Sequence, residues 1–324
     1  MKAAILHGEV SPDANKDEQD VLVQVEYVSG ALVELGYQPV AVPLSLDLKK
    51  AATTLIDLRP KIVFNLVESV EGLGQWIHLG PTLCEFLKLP YTGSGKDAVY
   101  ITSNKLLAKQ FLKSAAIDTP PFLTPKEIEV GYATVSPPFI IKSVWEHASI
   151  GMDESAIVGE KSQLKEALES RVKKLGGEWY AEQYIPGREF NLSLLAAKDG
   201  PQVLPPAEIR FIDYPQDKPK LVDYNAKWEE NSFEFLHTIP SYDFPPEDAP
   251  LLSRMKEIAV RCWRLFDLRG YARVDFRVDE EGRPWVLEVN INPCISPDCG
   301  FVAAAAQVGL SYADIIAHIV ADVH

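Results

Sequence analysis

The stretch GYARVDFRVDEEGRPWVLEVNINPCISPDCG, from Gly270 to Gly300, restricts what this chain can fold into more than any other segment. Arg273 to Val278 alternates charged and apolar side chains, and Trp285 to Asn290 does the same, which is the period-two signature of half-buried strands. Between them Asp279-Glu280-Glu281-Gly282 supplies turn chemistry, with Gly282 suited to the positive φ of a short hairpin loop. A two-residue loop at Glu281 and Gly282 sets Asp275 opposite Glu288. Opposed residues of an antiparallel pair share a sheet face. Arg273, Asp275, Glu288 and Asn290 then lie on one face, and Val274, Phe276, Leu287 and Val289 on the other.

Two carboxylates held at close range repel each other, and the repulsion either raises one pKa or is offset by a cation. A hard divalent ion suits such a face, because Mg²⁺ is usually held by one or two carboxylates together with substrate phosphates. The plainer reading is a solvated strand face on which Arg273 pairs with Asp275. The spacing allows both.

The 324 residues, 47% of them hydrophobic, suffice for two or three globular domains. A formal net charge of −14 and a pI near 4.9 argue against non-specific nucleic-acid binding, which needs a basic surface. A nucleotide site is compatible with them, since a few placed lysines suffice. Cys84, Cys262, Cys294 and Cys299 show no CxxC spacing, so they read as free thiols of a cytoplasmic protein rather than zinc ligands. A catalytic thiol at Cys294 or Cys299 has no histidine in sequence reach. All six histidines read as structural or surface residues. The N-terminus leads directly into a strand, and no apolar run reaches the ~18 residues of a membrane span, so neither a signal peptide nor a transmembrane helix is expected.

From the start of the chain, Lys2–His7 reads as a buried strand and a polar loop follows to Asp20. Val21–Leu35 then reads as an amphipathic helix stopped by Gly36. Gln38–Leu44 reads as a strand, Leu48–Leu58 as a helix and Lys61–Val67 as a third strand. This alternation predicts an open, mostly parallel α/β domain over residues 1–95. No GxGxxG follows the first strand, so a dinucleotide fingerprint is missing. Ser103 can cap a helix that begins near Asn104 and carries Lys105 and Lys109, and composition alone makes those lysines a solvated face. Pro137–Lys142 is an apolar strand ending in a lysine, either a point charge for phosphate or a snorkelling edge residue. Trp179–Phe190 reads as two strands about a turn at Pro186-Gly187, on its own a hairpin with a surface pair of Arg188 and Glu189. Arg254–Leu268, Phe301–Val308 and Tyr312–Val320 read as helices.

RVDF followed by LEVNINP, with PYTGSG, TPPF and AEQYIPGREF upstream, resembles the D-alanine–D-alanine ligases and their ATP-grasp relatives over almost the whole chain. The resemblance implies an α/β and α+β protein, an ATP-grasp fold behind an N-terminal open parallel α/β domain. Its parts would be the N-terminal domain (1–95), a central lobe (96–190) and a C-terminal lobe with the metal site (191–324). It implies ATP, and two Mg²⁺ ions or Mn²⁺ in their place, held by Asp275, Glu288 and Asn290. It puts Lys105 and Lys142 on phosphate, backbone groups of Glu182, Gln183, Tyr184 and Ile185 on the adenine edge, and Glu189 on the ribose. Lys227 in LVDYNAKW matches a phosphate-contacting lysine. Ser149 and Gly151 keep the pattern of the mobile loop over the triphosphate, whereas His147 and Ala148 depart from its usual glycine and serine. Arg273 would stabilise the oxyanion formed when an amine attacks an acyl phosphate.

The substrate end departs from the family. NLVESVEGLGQW stands where the family has a His-Gly then Gly-Glu motif after the third strand. Of the family's glutamate–serine–tyrosine triad, the last two positions read Ala148 and Trp228, and the glutamate can be placed at Glu18. The serine that binds the second substrate's carboxylate reads Cys299, next to Gly300, and a nearby glycine reads Cys294. The resemblance therefore implies an ADP-forming carboxylate–amine ligase that joins amino acids or a peptide-like acid other than two D-alanines. A true D-alanine–D-alanine ligase, a nucleotide sensor without turnover, and carboxyphosphate chemistry stay open beside it. The partners expected are a small carboxylate and an amine, with no nucleic acid and no membrane, and a homodimer is compatible.

Overall fold

The computed structural model describes residues 1–131 and 135–323, whose strands fall into three sheets. In the first sheet β1 (Lys2–Gly8) lies between β2 (Gln38–Leu44) and β3 (Ile62–Leu66), and both neighbours run parallel to it. Every residue of β3, and every residue of β1 after Lys2, is buried, as expected where helices cover both faces of a parallel sheet. The first helix, Lys16–Glu34, begins earlier than its apolar pattern suggests. Asn15 and Glu18 form a capping box at its start, so the polar residues before Val21 are its exposed first turn and not a loop.

The second sheet contains β4 (Phe122–Leu123), β5 (Phe139–Ser143), β6 (Ile157–Val158) and β7 (Trp179–Gln183), all antiparallel, in the order β4-β7-β5-β6. Helix Leu164–Leu175 closes its core against Leu123, Phe139, Ile141 and Trp179. The third sheet comprises β8 (Arg188–Leu195), β9 (Gln202–Val203), β10 (Ala207–Phe211), β11 (Thr238–Ser241), β12 (Tyr271–Val278) and β13 (Pro284–Asn290). Its order is β11-β10-β8-β12-β13, with β9 on β8, and every pair is antiparallel.

Two local expectations are corrected here. Trp179–Phe190 is not a hairpin, because β7 belongs to the second sheet and β8 to the third. The link between them passes through Gly187 at φ 135°, where a Cβ would lie 2.0 Å from the Val278 carbonyl oxygen, so only glycine fits. Ser103 is also not the cap of the lysine-bearing helix. It ends helix Lys96–Ser103, and the Asn104 side chain accepts from the Leu107 N–H at 2.9 Å to start Lys105–Ser114. Both helices pack on the third sheet, where Val99, Ala108 and Leu112 share a core with Phe190, Val274, Phe276 and helix Ala249–Leu265.

The β12–β13 hairpin meets Asp275 with Glu288 by a different route from the simple two-residue turn. The Asp279 N–H donates to the Arg283 carbonyl at 3.1 Å, so the loop is Glu280-Glu281-Gly282, with Gly282 at φ 75°. That alone would shift every pair by one residue, and near the turn Phe276 does pair with Val286. A bulge at Leu287 then restores the register, and Asp275 pairs with Glu288, Val274 with Val289 and Arg273 with Asn290. Val286 therefore takes the core place expected of Leu287, and Leu287 lines a cleft instead.

Helices Gly300–Ala306 and Tyr312–Ala321 tie the first sheet to the third, since Phe301, Ile315 and Ile319 share one core with Ile5, Leu32, Phe64 and Tyr271. No helix among the described residues is long and apolar enough to cross a membrane.

Candidate active site

Lys105, Lys142, Ser149, Glu182, Gln183, Tyr184, Ile185, Glu189, Lys227, Arg273, Asp275 and Glu288 all line a single cleft between the second and third sheets. Asp275 and Glu288 come from neighbouring strands. The Arg273 guanidinium grips Asp275 with two hydrogen bonds, 2.7 Å from Nε and 2.8 Å from the terminal nitrogen, and Asn191 on β8 donates to the same carboxylate at 2.8 Å. The Asn290 amide donates to Asp275 and to Glu288, 3.1 Å each. The Arg273–Asp275 pair is real, but the face is not solvated: Asp275 is 5% exposed. Burial pushes the Asp275 carboxyl up against the pull of Arg273. Burial would also raise Glu288, yet Lys105, Lys227 and Arg273 hold it well below the ordinary carboxylate range. Two opposed carboxylates and an amide are hard oxygen donors, the set that suits a divalent cation such as Mg²⁺. Among the described residues no group of three or more His, Cys, Asp and Glu side chains could hold a metal, so such an ion would need the Asn290 amide oxygen as well.

The lysines overturn their solvated reading. Lys105 is 8% exposed and Lys109 1%. Glu182, also 1% exposed, bridges Lys109 at 2.6 Å and Lys142 at 2.7 Å, and Lys109 donates to Thr119 Oγ1 at 2.8 Å. Burial would raise Glu182, but the two lysines keep it ionised. Burial lowers the Lys105 amine, which donates to the Glu146 carbonyl at 2.5 Å. The backbone beyond Glu182 is shaped by prolines. The Gln183 and Tyr184 N–H groups donate to the carbonyls of Pro121 and Pro138 at 2.8 and 2.9 Å. Neither proline has an N–H to return, which leaves the Gln183 and Tyr184 carbonyls without that sheet partner.

Glu189 does not pair with Arg188, which binds Glu208 and Asp248 instead, 2.7 Å each. It meets Arg277 at 3.0 Å, a residue the sequence reading passed over although it extends the same alternating series as Arg273 and Asp275. Asn191 was missed too, though it lies two residues after Glu189 on β8 and directly opposite Asp275. Lys109 and His147, which lines the cleft, carry no local signal beyond their residue type.

Asn290, Glu18, Trp228, Cys299 and Gly300 are not among the residues that line this cleft, whereas Ala148 is. Glu18 accepts from the Asn15 N–H at 3.2 Å within the capping box. The Trp228 indole donates to the Ala148 carbonyl at 3.4 Å, and Ser149 donates to the Val222 carbonyl at 2.8 Å, so the loop at 147–149 is pinned to the segment at 222–228. Cys299 occupies the N-cap position of helix Gly300–Ala306 without a side-chain cap hydrogen bond. The Cys294 S–H donates to Asp20 at 3.1 Å, and the Cys299 thiol together with burial pushes the Cys294 thiol up. Ser296 donates to Asp20 at 2.8 Å, and Gln24 joins Asp20 at 3.1 Å to Glu68 at 2.7 Å. Burial first, then the charge of Asp20, pushes the Glu68 carboxyl up to about 7.

Comparison with known proteins agrees with this architecture. The family model described as the D-ala D-ala ligase C-terminus matches residues 121–321. A D-alanine–D-alanine ligase of Moorella thermoacetica is 31% identical over 330 aligned residues, covering 99% of this chain and 98% of the relative. An uncharacterised protein of Sinorhizobium fredii, y4sG, is 30% identical over 261 residues, 79% of this chain and 72% of its own length. Among solved structures, a D-alanine–D-alanine ligase from Bacillus anthracis complexed with ATP superposes with a TM-score of 0.75 at 22% identity, covering 99% of this chain and 97% of that one. At that identity the likeness concerns the fold.

Proposed function

The chain belongs to the D-alanine–D-alanine ligase family of ATP-grasp, ADP-forming ligases, and on that premise we propose that it joins a carboxylate to an amine other than a second D-alanine. The observation that carries the reading is one buried cleft in which the Arg273–Asp275–Glu288 face looks towards Lys105, Lys142 and Lys227. Cations on one side and acids on the other make a seat for a triphosphate with its metal.

In this reading the Gln183 and Tyr184 carbonyls, lacking donors from Pro121 and Pro138, accept from the adenine edge, and Glu189 accepts from the ribose. Lys105 and Lys142 neutralise phosphate oxygens, with Lys142 held in place by Glu182. Asp275, Glu288 and Asn290 would hold Mg²⁺, which when bound supplies charge neutralisation at the β- and γ-phosphates. A substrate carboxylate takes the γ-phosphoryl group to give an acyl phosphate and ADP. A free amine then attacks the acyl carbon and phosphate leaves, while Arg273 and Lys227 offset the charge that builds on the reacting oxygens.

A different substrate pair is supported at the other end of the site. Glu18 is committed to its helix cap, the Trp228 indole donates to the Ala148 carbonyl, and the Cys294 thiol donates to Asp20. None of these groups is arranged to repeat the family's triad. The test is ADP release with Mg²⁺, ATP and a panel of amino and carboxylic acids, D-alanine included, for the native protein and Glu288→Gln. ADP formed with some pair other than D-alanine alone, and lost in the variant, supports the reading. A D-alanine dipeptide as the main product, or no ADP with any pair, contradicts it.

A further inference from the structure

The buried side-chain polar atoms of the loop at 143–152 have hydrogen-bond partners with one exception. The Trp145 and Glu146 N–H groups donate to Ser143 Oγ, at 3.3 and 3.0 Å, and the Ile150 and Met152 N–H groups to the His147 and Ser149 carbonyls, at 3.2 and 3.0 Å. The Glu146 carboxylate accepts from the Gly74 N–H at 3.2 Å, and its carbonyl accepts from Lys105. Ala148 and Ser149 are held at φ 57° and 62°, a backbone region that non-glycine residues enter at a cost and keep only when neighbours fix it. The exception is His147. Its Nε2 is buried and has no hydrogen-bond partner. The phenol oxygens of Tyr242 and Tyr312 are in the same state, but of these three residues only His147 lines the cleft.

A buried imidazole nitrogen without a partner is costly, and a ligand atom placed in the cleft would remove that cost. His147 shares the cleft with Lys105, Lys227, Arg273 and Glu288, and the charges of the first three lower its pKa while that of Glu288 raises it. Burial, reinforced by Lys105, lowers the imidazole pKa to about 3, so the ring is neutral near neutral pH and carries one N–H. The Lys105, Lys227 and Arg273 side chains in the same cleft suit an anion, and an anionic oxygen selects the tautomer with the proton on Nε2.

We propose that His147 is a catalytic residue of this chain, its Nε2–H donating to an oxygen of the phosphoryl group under transfer, in the cleft it shares with Lys105, Lys227 and Arg273. The role rests on the nucleotide reading above. The family pattern has a small residue here, so this donor is an addition made by the present sequence. It contributes a directed hydrogen bond without adding another positive charge to a site already rich in them.

The test compares binding of Mg·ADP with binding of Mg·ADP plus aluminium fluoride, a mimic of the phosphoryl group in flight, by calorimetry. The proteins are native, His147→Ala and His147→Gln, the last keeping an N–H near the position of Nε2. The expected result is unchanged ADP affinity in all three. For the fluoride complex, His147→Ala should bind about 10–100-fold more weakly, and His147→Gln should recover most of that loss. Equal binding of the fluoride complex by native protein and His147→Ala overturns the proposal. So does an equal loss for ADP and for its fluoride complex, which marks collapse of the loop. If native protein binds no ADP at all, the nucleotide reading itself fails, and the role of His147 goes with it.

Discussion

The cleft and the cluster of side chains around Asp20, which lies outside it, are held together on different plans. Around the cleft, buried charges from five separate strands and helices are paired with one another: Glu182 between Lys109 and Lys142, Arg273 on Asp275, Arg277 on Glu189. Around Asp20, neutral donors from distant segments converge on one carboxylate: the Cys294 thiol, the Ser296 hydroxyl and the Gln24 amide all donate to Asp20, and Gln24 also donates to Glu68. Buried charge is costly unless paired, so the first plan is rigid and tolerates little change. The second sets carboxylates against neutral donors, contacts that are individually worth less.

Substitutions should separate the two plans in a definite order. The largest effect on the fold is expected for Glu182→Gln, which strands two buried lysines and should destabilise the protein by about 3–5 kcal/mol in urea unfolding. A loss under ~1 kcal/mol would mean that the triad is not what holds the cleft together. Next, Glu288→Gln should slow ADP formation by about 10²–10³-fold, measured by coupled assay, with little change in stability.

A substitution in the Asp20 cluster has its own signature. The Glu68 carboxyl titrates near 7 in the folded protein and near 4.5 when unfolded. Between those values the folded chain holds a proton that the unfolded chain has released, so the associated stability is complete below pH 4.5 and is lost as pH rises through 7. Relative to Glu68→Gln, the native protein should lose on the order of 3 kcal/mol across that window. Parallel stability curves for the two proteins would place Glu68 in ordinary solvent. The smallest effect belongs to Cys294→Ser. A hydroxyl can still donate to Asp20, and a stability change within about 1 kcal/mol is expected by thermal unfolding. A much larger loss would make this cluster as rigid as the cleft.

The sequence was readable where chemistry repeats along one strand. Alternation in β12 and β13 was enough to bring Asp275 and Glu288 together, even though the loop is one residue longer than the simple turn and a bulge at Leu287 cancels the difference. The same alternation extends to Arg277 and, on β8, to Glu189 and Asn191, so those residues were also within reach of the pattern. Lys105 and Lys109 were not. Their partners come from distant segments, Glu146 and Glu182, and nothing on the helix itself distinguishes a buried lysine from a solvated one. The crossing from β7 to β8 was hidden for a related reason: two strands about Pro-Gly look like a hairpin, and only the approach of Val278 to Gly187 shows that they part. The unpartnered nitrogen of His147 depends on the whole loop being closed, which no local spacing encodes.

The account turns on whether Asp275 and Glu288 hold a metal beneath a triphosphate. Crystals grown with Mn²⁺ and a non-hydrolysable ATP analogue, measured at the manganese absorption edge, test that directly. The account predicts anomalous density within about 2.1–2.3 Å of both carboxylates, next to phosphate oxygens also touched by Lys105 and Lys142. Analogue bound elsewhere, or bound here with both carboxylates still closed on Arg273 and Asn290 and no manganese signal, would contradict it.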